Sequence, residues 1–361
     1  MHKIISRFTL WAAASLLGVS AMAQTEIHKY QPGISEAGIT YFLPKTQLRV
    51  VVTAQKTHHT PGEFCDYAER YLRLKSVTQT PYDEWKIEKI EIVPYGVADK
   101  DKAFTIKLKS KTSAPLVELT PDGRLTAVNA KAKESDPTLP TTKVIKSDKK
   151  TLNGADFKTE EILSAGSTSK MAELTANEIY DIRENRALLT KGQADFMPKD
   201  GEQLRLMLAN LDQQEEGLLQ LFRGTDVKET HILAFDITPT QDVEKLPLFN
   251  FSKYLGVVDA DDPAGTPVYV SIKDLQTLPA VTASTDNKKK EEQDLRYIIP
   301  SSVKVNIFSD EKKYLSASVL MAQFGRIEHL GGNLFNKQFS TRVYLSPTTG
   351  NITDIELNEP E

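Results

Sequence analysis

Tyr41-Phe42-Leu43-Pro44-Lys45-Thr46 and Tyr297-Ile298-Ile299-Pro300-Ser301-Ser302 are the two stretches on which the reading of the fold turns. Each sets three apolar residues, led by tyrosine, before a proline. Each then runs into a segment opening on a basic residue and valine, Arg49-Val50 and Lys304-Val305. In the first, Leu48, Val50 and Val52 alternate with Arg49, Val51 and Thr53, the period-two pattern of a half-buried strand. The downstream ends echo one another as well. Val117-Glu118-Leu119-Thr120-Pro121-Asp122-Gly123-Arg124-Leu125 parallels Val343-Tyr344-Leu345-Ser346-Pro347-Thr348-Thr349-Gly350-Asn351-Ile352, with one extra residue in the second turn. Both read as hairpins in which proline presets one backbone angle and glycine accepts a positive one. Two matches in the same order read as an internal duplication, two related β modules flanking a helical insert.

Working outward, residues 85–92 and 104–109 alternate cleanly as further strands. Between the first strand and these, Thr60, Pro61 and Glu63 predict a capped helix that places Phe64, Tyr67, Ala68, Tyr71 and Leu72 on one face. Residues 176–189 and 201–222 predict two longer helices, the second with a stripe of Leu204, Leu208, Leu211, Leu218 and Phe222 and Gly224 as its stop. Strands resume over 231–238, 267–272, 297–308, 314–323 and 339–345. Strands and helices without regular βαβ alternation give an α+β class. Two polar stretches, 131–169 and 282–294, read as linkers or solvated loops. The expected division is therefore 1–23 signal, 24–130 β-rich domain with one helix, 131–169 linker, 170–281 helical segment leading into mixed structure, 282–294 charged loop, and 295–361 C-terminal β module.

The first 23 residues read as a cleavable export signal. His2, Lys3 and Arg7 form a basic head, residues 8–19 an apolar run too short to span a bilayer, and Ser20-Ala21-Met22-Ala23 a small-residue cleavage site ahead of Gln24. No cysteine follows to carry a lipid anchor. The 45 basic side chains fall to 43 once Lys3 and Arg7 are removed, against 49 acidic ones, so the mature net charge is −6. That balance argues against nucleic acid, whose binding rests on basic contacts to phosphate. Cys65 is the only cysteine, which rules out an internal disulfide, and two hydrophobic cores form without one at this length.

Candidate chemistry is sparse. His58, His59, Glu63, Cys65 and Asp66 gather zinc-type ligands, but Cys65 and Asp66 diverge on a helix, Glu63 is expected to serve as a cap, and ligand spacings are absent. Asp259, Asp261 and Asp262 have calcium-type alternation, interrupted by Pro263 and closed by no glutamate, so they read as an acidic turn. There is no nucleophile elbow, zinc helix, phosphate loop or dinucleotide fingerprint. His231 and His329 stand in strand contexts without a carboxylate–serine arrangement, and Gly331-Gly332 reads as a turn. No catalytic, cofactor-binding or metal residue is therefore assigned, and no cofactor is expected.

Gly38-Ile39-Thr40-Tyr41-Phe42-Leu43-Pro44-Lys45-Thr46, followed by Tyr67-Ala68-Glu69-Arg70-Tyr71-Leu72 and the later Tyr297–Pro300 motif, resembles a family of exported proteins of Bacteroides-type bacteria known as a domain of unknown function. The resemblance covers nearly all of the mature chain. It implies a Gram-negative envelope protein, and it carries no active site. With neither a lipid anchor nor a membrane span expected, the periplasm is the first choice, and outer-membrane association or secretion the second. Leu357-Asn358-Glu359-Pro360-Glu361 lacks the basic tail of a secretion sorting domain. The expected role is a non-catalytic binding or scaffold module acting through exposed sheet edges and loops, with envelope proteins or glycans as partners. The alternative is a periplasmic hydrolase of envelope glycans or peptides.

Overall fold

The computed structural model describes residues 34–35, 38–106, 117–146, 152–279, 295–330 and 340–358. The expected signal over 1–23 and the charged loop over 282–294 lie outside them. After the two-residue β1 (Ile34–Ser35), the first motif opens a strand far longer than its alternation implied, β2 (Gly38–Thr60). A 3₁₀ turn (Cys65–Tyr67) and the short α1 (Ala68–Leu72) lead to β3 (Tyr82–Ile106), antiparallel to β2 along nearly its whole length. β4 (Val117–Leu119) and β5 (Leu125–Val128) form the first turn-bearing hairpin. Then come β6 (Lys143–Lys146), a 3₁₀ turn (Gly154–Phe157), α2 (Glu160–Leu163), α3 (Thr168–Lys191) and α4 (Gly201–Arg223). The chain ends in β7 (Thr225–Ile237), β8 (Val243–Ser252), β9 (Gly256–Val258), β10 (Thr266–Asp274), β11 (Leu295–Phe308), β12 (Lys313–Leu330), β13 (Ser340–Leu345) and β14 (Ile352–Asn358).

Three sheets result, so the class is α+β and β-rich. The first contains β3, β2, β7 and β6, with β1 against the start of β2; the second runs β12-β11-β10-β8-β9; the third runs β14-β13-β5-β4. The first two share one core. Leu48, Val50 and Val52 of β2 and Ile87 and Ile90 of β3 pack with Phe249, Val268, Val270, Ile272, Val303, Val305, Ile307 and Met321. Each such side chain removed from water contributes about 1.5–3 kcal/mol before its ordering cost is counted. The long strands then leave this core and enter a second one. Tyr41 and Leu43 of β2 meet Leu295 and Ile298 of β11, together with Leu125, Val128, Val343 and Leu345 of the third sheet.

The helices build a third core from Phe64, Ala68, Leu72, Ala172, Ala176, Ile179, Ile182, Leu218 and Phe222. Ser167 and Asp200 cap α3 and α4 by accepting from Lys170 N–H and Gln203 N–H, and Gly192 and Gly224 end them at positive φ. The cap expected at Thr60 does not form. β2 continues to Thr60, which pairs with Thr225, so Thr60 is strand, the helical turn starts after Phe64 with no side-chain cap, and Glu63 instead bonds Lys158 Nζ. Tertiary pairing overrides the local signal. β8 has no counterpart among the predicted strands; Pro247 in its middle obscured it, and the register shifts opposite that proline to admit it.

The two motifs hold corresponding positions. Phe42 N–H donates to Gly123 C=O at 2.9 Å, and Ile298 N–H donates to Gly350 C=O at 2.9 Å. Within the turns, Gly123 and Gly350 N–H donate to Thr120 and Ser346 C=O at 2.9 and 2.8 Å. At each motif proline the ladder breaks in the same way. Phe42 and Pro44 face Ala103 and Ala98, and Ile299 and Ser301 face Arg326 and Met321, so the partner strand carries three extra residues in both hairpins.

Candidate functional site

Where β2 leaves β7, its backbone finds a side chain in place of a strand. Thr46 N–H donates to Gln323 Oε1 at 3.0 Å, and Gln323 Nε2 donates to Thr46 C=O at 2.9 Å and to Pro239 C=O at 2.7 Å. The fully buried Thr46 hydroxyl donates to Thr348 C=O and accepts from Ala322 N–H, both at 3.0 Å. Tyr41 does the same for β11: its hydroxyl donates to Arg296 C=O at 3.0 Å and accepts from Arg296 N–H at 2.8 Å. Burial raises the phenol's pKa despite those contacts.

These crossings fix β3 and β12 as neighbouring sheet edges with an open cleft of about 1080 Å³ along them. Ile90 and Ile92 line it from β3, and Leu315, Ala317 and Val319 from β12. Ser346, Thr348, Thr349, Asn351 and Thr353 of the β13–β14 hairpin close one end with hydroxyls and an amide, joined by Glu134 and Ser135. Because Thr46 turns its N–H and C=O away from β3, the Thr46–Gly96 pair is a non-hydrogen-bonded one. The alternate β3 residues Ile90, Ile92 and Pro94 therefore direct their backbone polar groups into the cleft. On the other side, Ser302 N–H donates to Thr277 Oγ1 at 2.8 Å and Ser302 C=O accepts from Leu275 N–H at 2.9 Å. Ser302 pairs with Leu320, so Leu320, Ser318 and Ser316 present outward N–H and C=O groups in turn.

Arg124 fastens the hairpin end. Only 4% exposed, it donates through Nη1 and Nη2 to both oxygens of Asp136 at 2.9 and 2.7 Å, through Nε to Asp122 at 2.8 Å, and to Pro347 C=O. Gly96 makes room: a Cβ there would lie 2.1 Å from Pro347 O and 2.5 Å from Arg124 Nη1. Burial alone would raise the Asp122 pKa. Hydrogen bonds from Thr120 and Arg124, the guanidinium charge and Ala98 N–H outweigh it and hold the carboxyl below its ordinary value.

The structure separates the candidate ligands. His58 Nδ1 lies 2.6 Å from Asp83 Oδ1, and His59 Nδ1 lies 2.7 Å from Asp226 Oδ1, each pair directly across adjacent strands. Hydrogen bonds from His58 and Lys56 lower the Asp83 pKa. Cys65 is a half-buried free thiol, and Glu63 is held by Lys158. Among the described residues, no three His, Cys, Asp or Glu side chains converge to hold a metal. Asp259, Asp261 and Asp262 lie in a turn where Asp262 N–H donates to Asp259 C=O and the Asp262 carboxylate accepts from Ala264 N–H. His231 packs edge-on against Trp85, with ring centroids 4.6 Å apart. The cleft itself was not picked out by sequence reasoning. Its one linear trace is residues 314–325, a run without a charged side chain.

Two facing sheets, a third sheet of hairpins and an attached helical unit, with a cleft along the sheet edges, define an open-edged β protein of α+β class. The chain belongs to the family described as a domain of unknown function (DUF4831), whose model matches residues 37–353. No curated protein and no solved structure matches the chain. Among the described residues no helix is long and apolar enough to cross a membrane.

Proposed function

We propose that this is an exported protein of the bacterial cell envelope, periplasmic in the first place, that acts by binding, and that the β3–β12 cleft is its binding surface. The observation that carries this reading is the lining: aliphatic side chains on the walls, hydroxyls at one end, and two rows of backbone donors and acceptors between them. Such a surface recognises shape and hydrogen-bonding pattern. The export half of the proposal rests on the signal-like residues 1–23. We expect the mature protein to begin at Gln24 and to fractionate with the periplasm. Mass measurement of a full-length cytoplasmic chain would overturn that half. For the cleft, a photo-crosslinking residue at Ser135 or Thr353 should give adducts in intact cells, whereas one at Lys228 should not. Equal labelling from all three positions would remove the cleft as the binding surface.

The matching backbone bonds at Phe42 and Ile298, and register breaks of the same size within one residue of each motif proline, support a second part of the proposal, descent of the two β modules from one duplicated frame.

A further inference from the structure

The two edges that flank the cleft are defended very differently. Native sheets protect exposed edges with charge, proline, bulges or a covering element. β3 carries Lys89 and Glu91 beside the cleft, Lys86 and Glu88 just before it, and Pro94 at its far end, where an outward N–H is missing. β6, at the opposite edge of the same sheet, is four residues long with lysine at both ends. Among the described residues, the middle of β12, between its two register shifts, has none of these devices. From Leu315 to Leu320 it reads Leu-Ser-Ala-Ser-Val-Leu, uncharged, without proline, and in unbroken register with β11. Among the described strands it pairs with β11 alone. Its side chains are small where a second backbone must approach, at Ser316, Ala317 and Ser318, and those serines present outward N–H and C=O groups.

We infer that the β12 edge takes up an extended, uncharged segment of a partner polypeptide as an added strand, an inference that rests on the cleft being the binding surface. The occupant is polypeptide because the unfilled groups at Ser316, Ser318 and Leu320 have the spacing of a β ladder, which a backbone matches residue for residue. It is apolar at alternate positions because Leu315 and Val319 line the cleft on the side that an added strand's alternate side chains would face. The segment is short, since the regular edge ends at the register break beyond Met321.

The comparison of the two hairpins supplies the test. Pro94 stands opposite Leu48, two residues beyond Thr46; Ser318 stands opposite Lys304, two residues beyond Ser302. Ser318→Pro therefore gives β12 the proline that β3 already has, removing an outward N–H while sparing the β11 ladder. The probe is a fluorescein-labelled, end-capped peptide alternating threonine and valine, read by anisotropy against the full mature chain. The peptide should bind, and methylation of every second backbone nitrogen should weaken it about tenfold or more. Ser318→Pro should cause a comparable loss with the melting temperature retained, and Val144→Lys on β6 should leave binding unchanged. Equal affinity for the N-methylated peptide would overturn strand addition while leaving the cleft as a binding surface. No binding of the parent peptide, with cleft crosslinks persisting in cells, would overturn the polypeptide ligand alone. A dimer in sedimentation that Ser318→Pro converts to monomer would assign the edge to a second copy and overturn the proposal.

Discussion

Single side chains here do work that strands do elsewhere. Gln323 completes the hydrogen bonding of Thr46, Tyr41 that of Arg296, and Arg124 ties two hairpin turns to the loop at Asp136. None was legible in the sequence, because Thr46, Arg296 and Pro347 are remote along the chain from the side chains that bond them, and a lone glutamine or arginine in a strand pattern looks like solvated surface. The Arg124 cluster has a pH consequence. The folded state holds Asp122 below its ordinary carboxylate value, so its contribution to stability is complete above that ordinary value and is lost as the pH falls through the depressed one. Arg124→Gln should flatten the acid limb of the stability–pH profile and, by leaving buried groups unpaired, cost about 3 kcal/mol at neutral pH. Urea unfolding from neutral to acid pH checks both, and an unchanged acid limb would remove Arg124 as the cause.

At the scale of elements, alternation located the long strands and helical spacing the long helices, because those patterns are local. Lengths were less legible. β2 and β3 extend well beyond their clean alternation because each face changes duty along the strand, from one core to the next. The hairpin turns are legible from proline and glycine between alternating strands, and their energetics are testable. Gly123 and Gly350 sit at φ of 91° and 71°, where a Cβ costs about 1–2 kcal/mol. A Cβ at Gly350 would in addition meet the Pro44 ring at 2.7 Å. Gly350→Ala should therefore destabilise by more than the about 1–2 kcal/mol of the positive φ alone in thermal unfolding; a loss within that range would show that the Pro44 ring yields freely.

For the whole molecule, the cleft is a product of assembly. Its walls come from residues near 90 and near 318 and its end from residues near 350, so no local segment announces it. The C-terminal hairpin supplies that end, contributes Val343 and Leu345 to the second core, accepts the Thr46 hydroxyl at Thr348 and holds Ile298 through Gly350. A chain ending at Leu330 should lose cooperative unfolding and become protease-sensitive in the β-rich region, not merely melt a few degrees lower. Retention of a sharp transition at the native temperature would show that the β11–β12 ladder closes the fold unaided.

That dependence sets an order of events during synthesis. The first long strand, β2, is sealed by Gln323 and Thr348, residues made close to last. Contacts of such separation are slow to form and cannot form at all on an incomplete chain. A ribosome would thus release most of this polypeptide before its β frame can lock, leaving an interval in which the chain is still threadable. On the export proposed above, that late closure would place folding on the far side of the membrane.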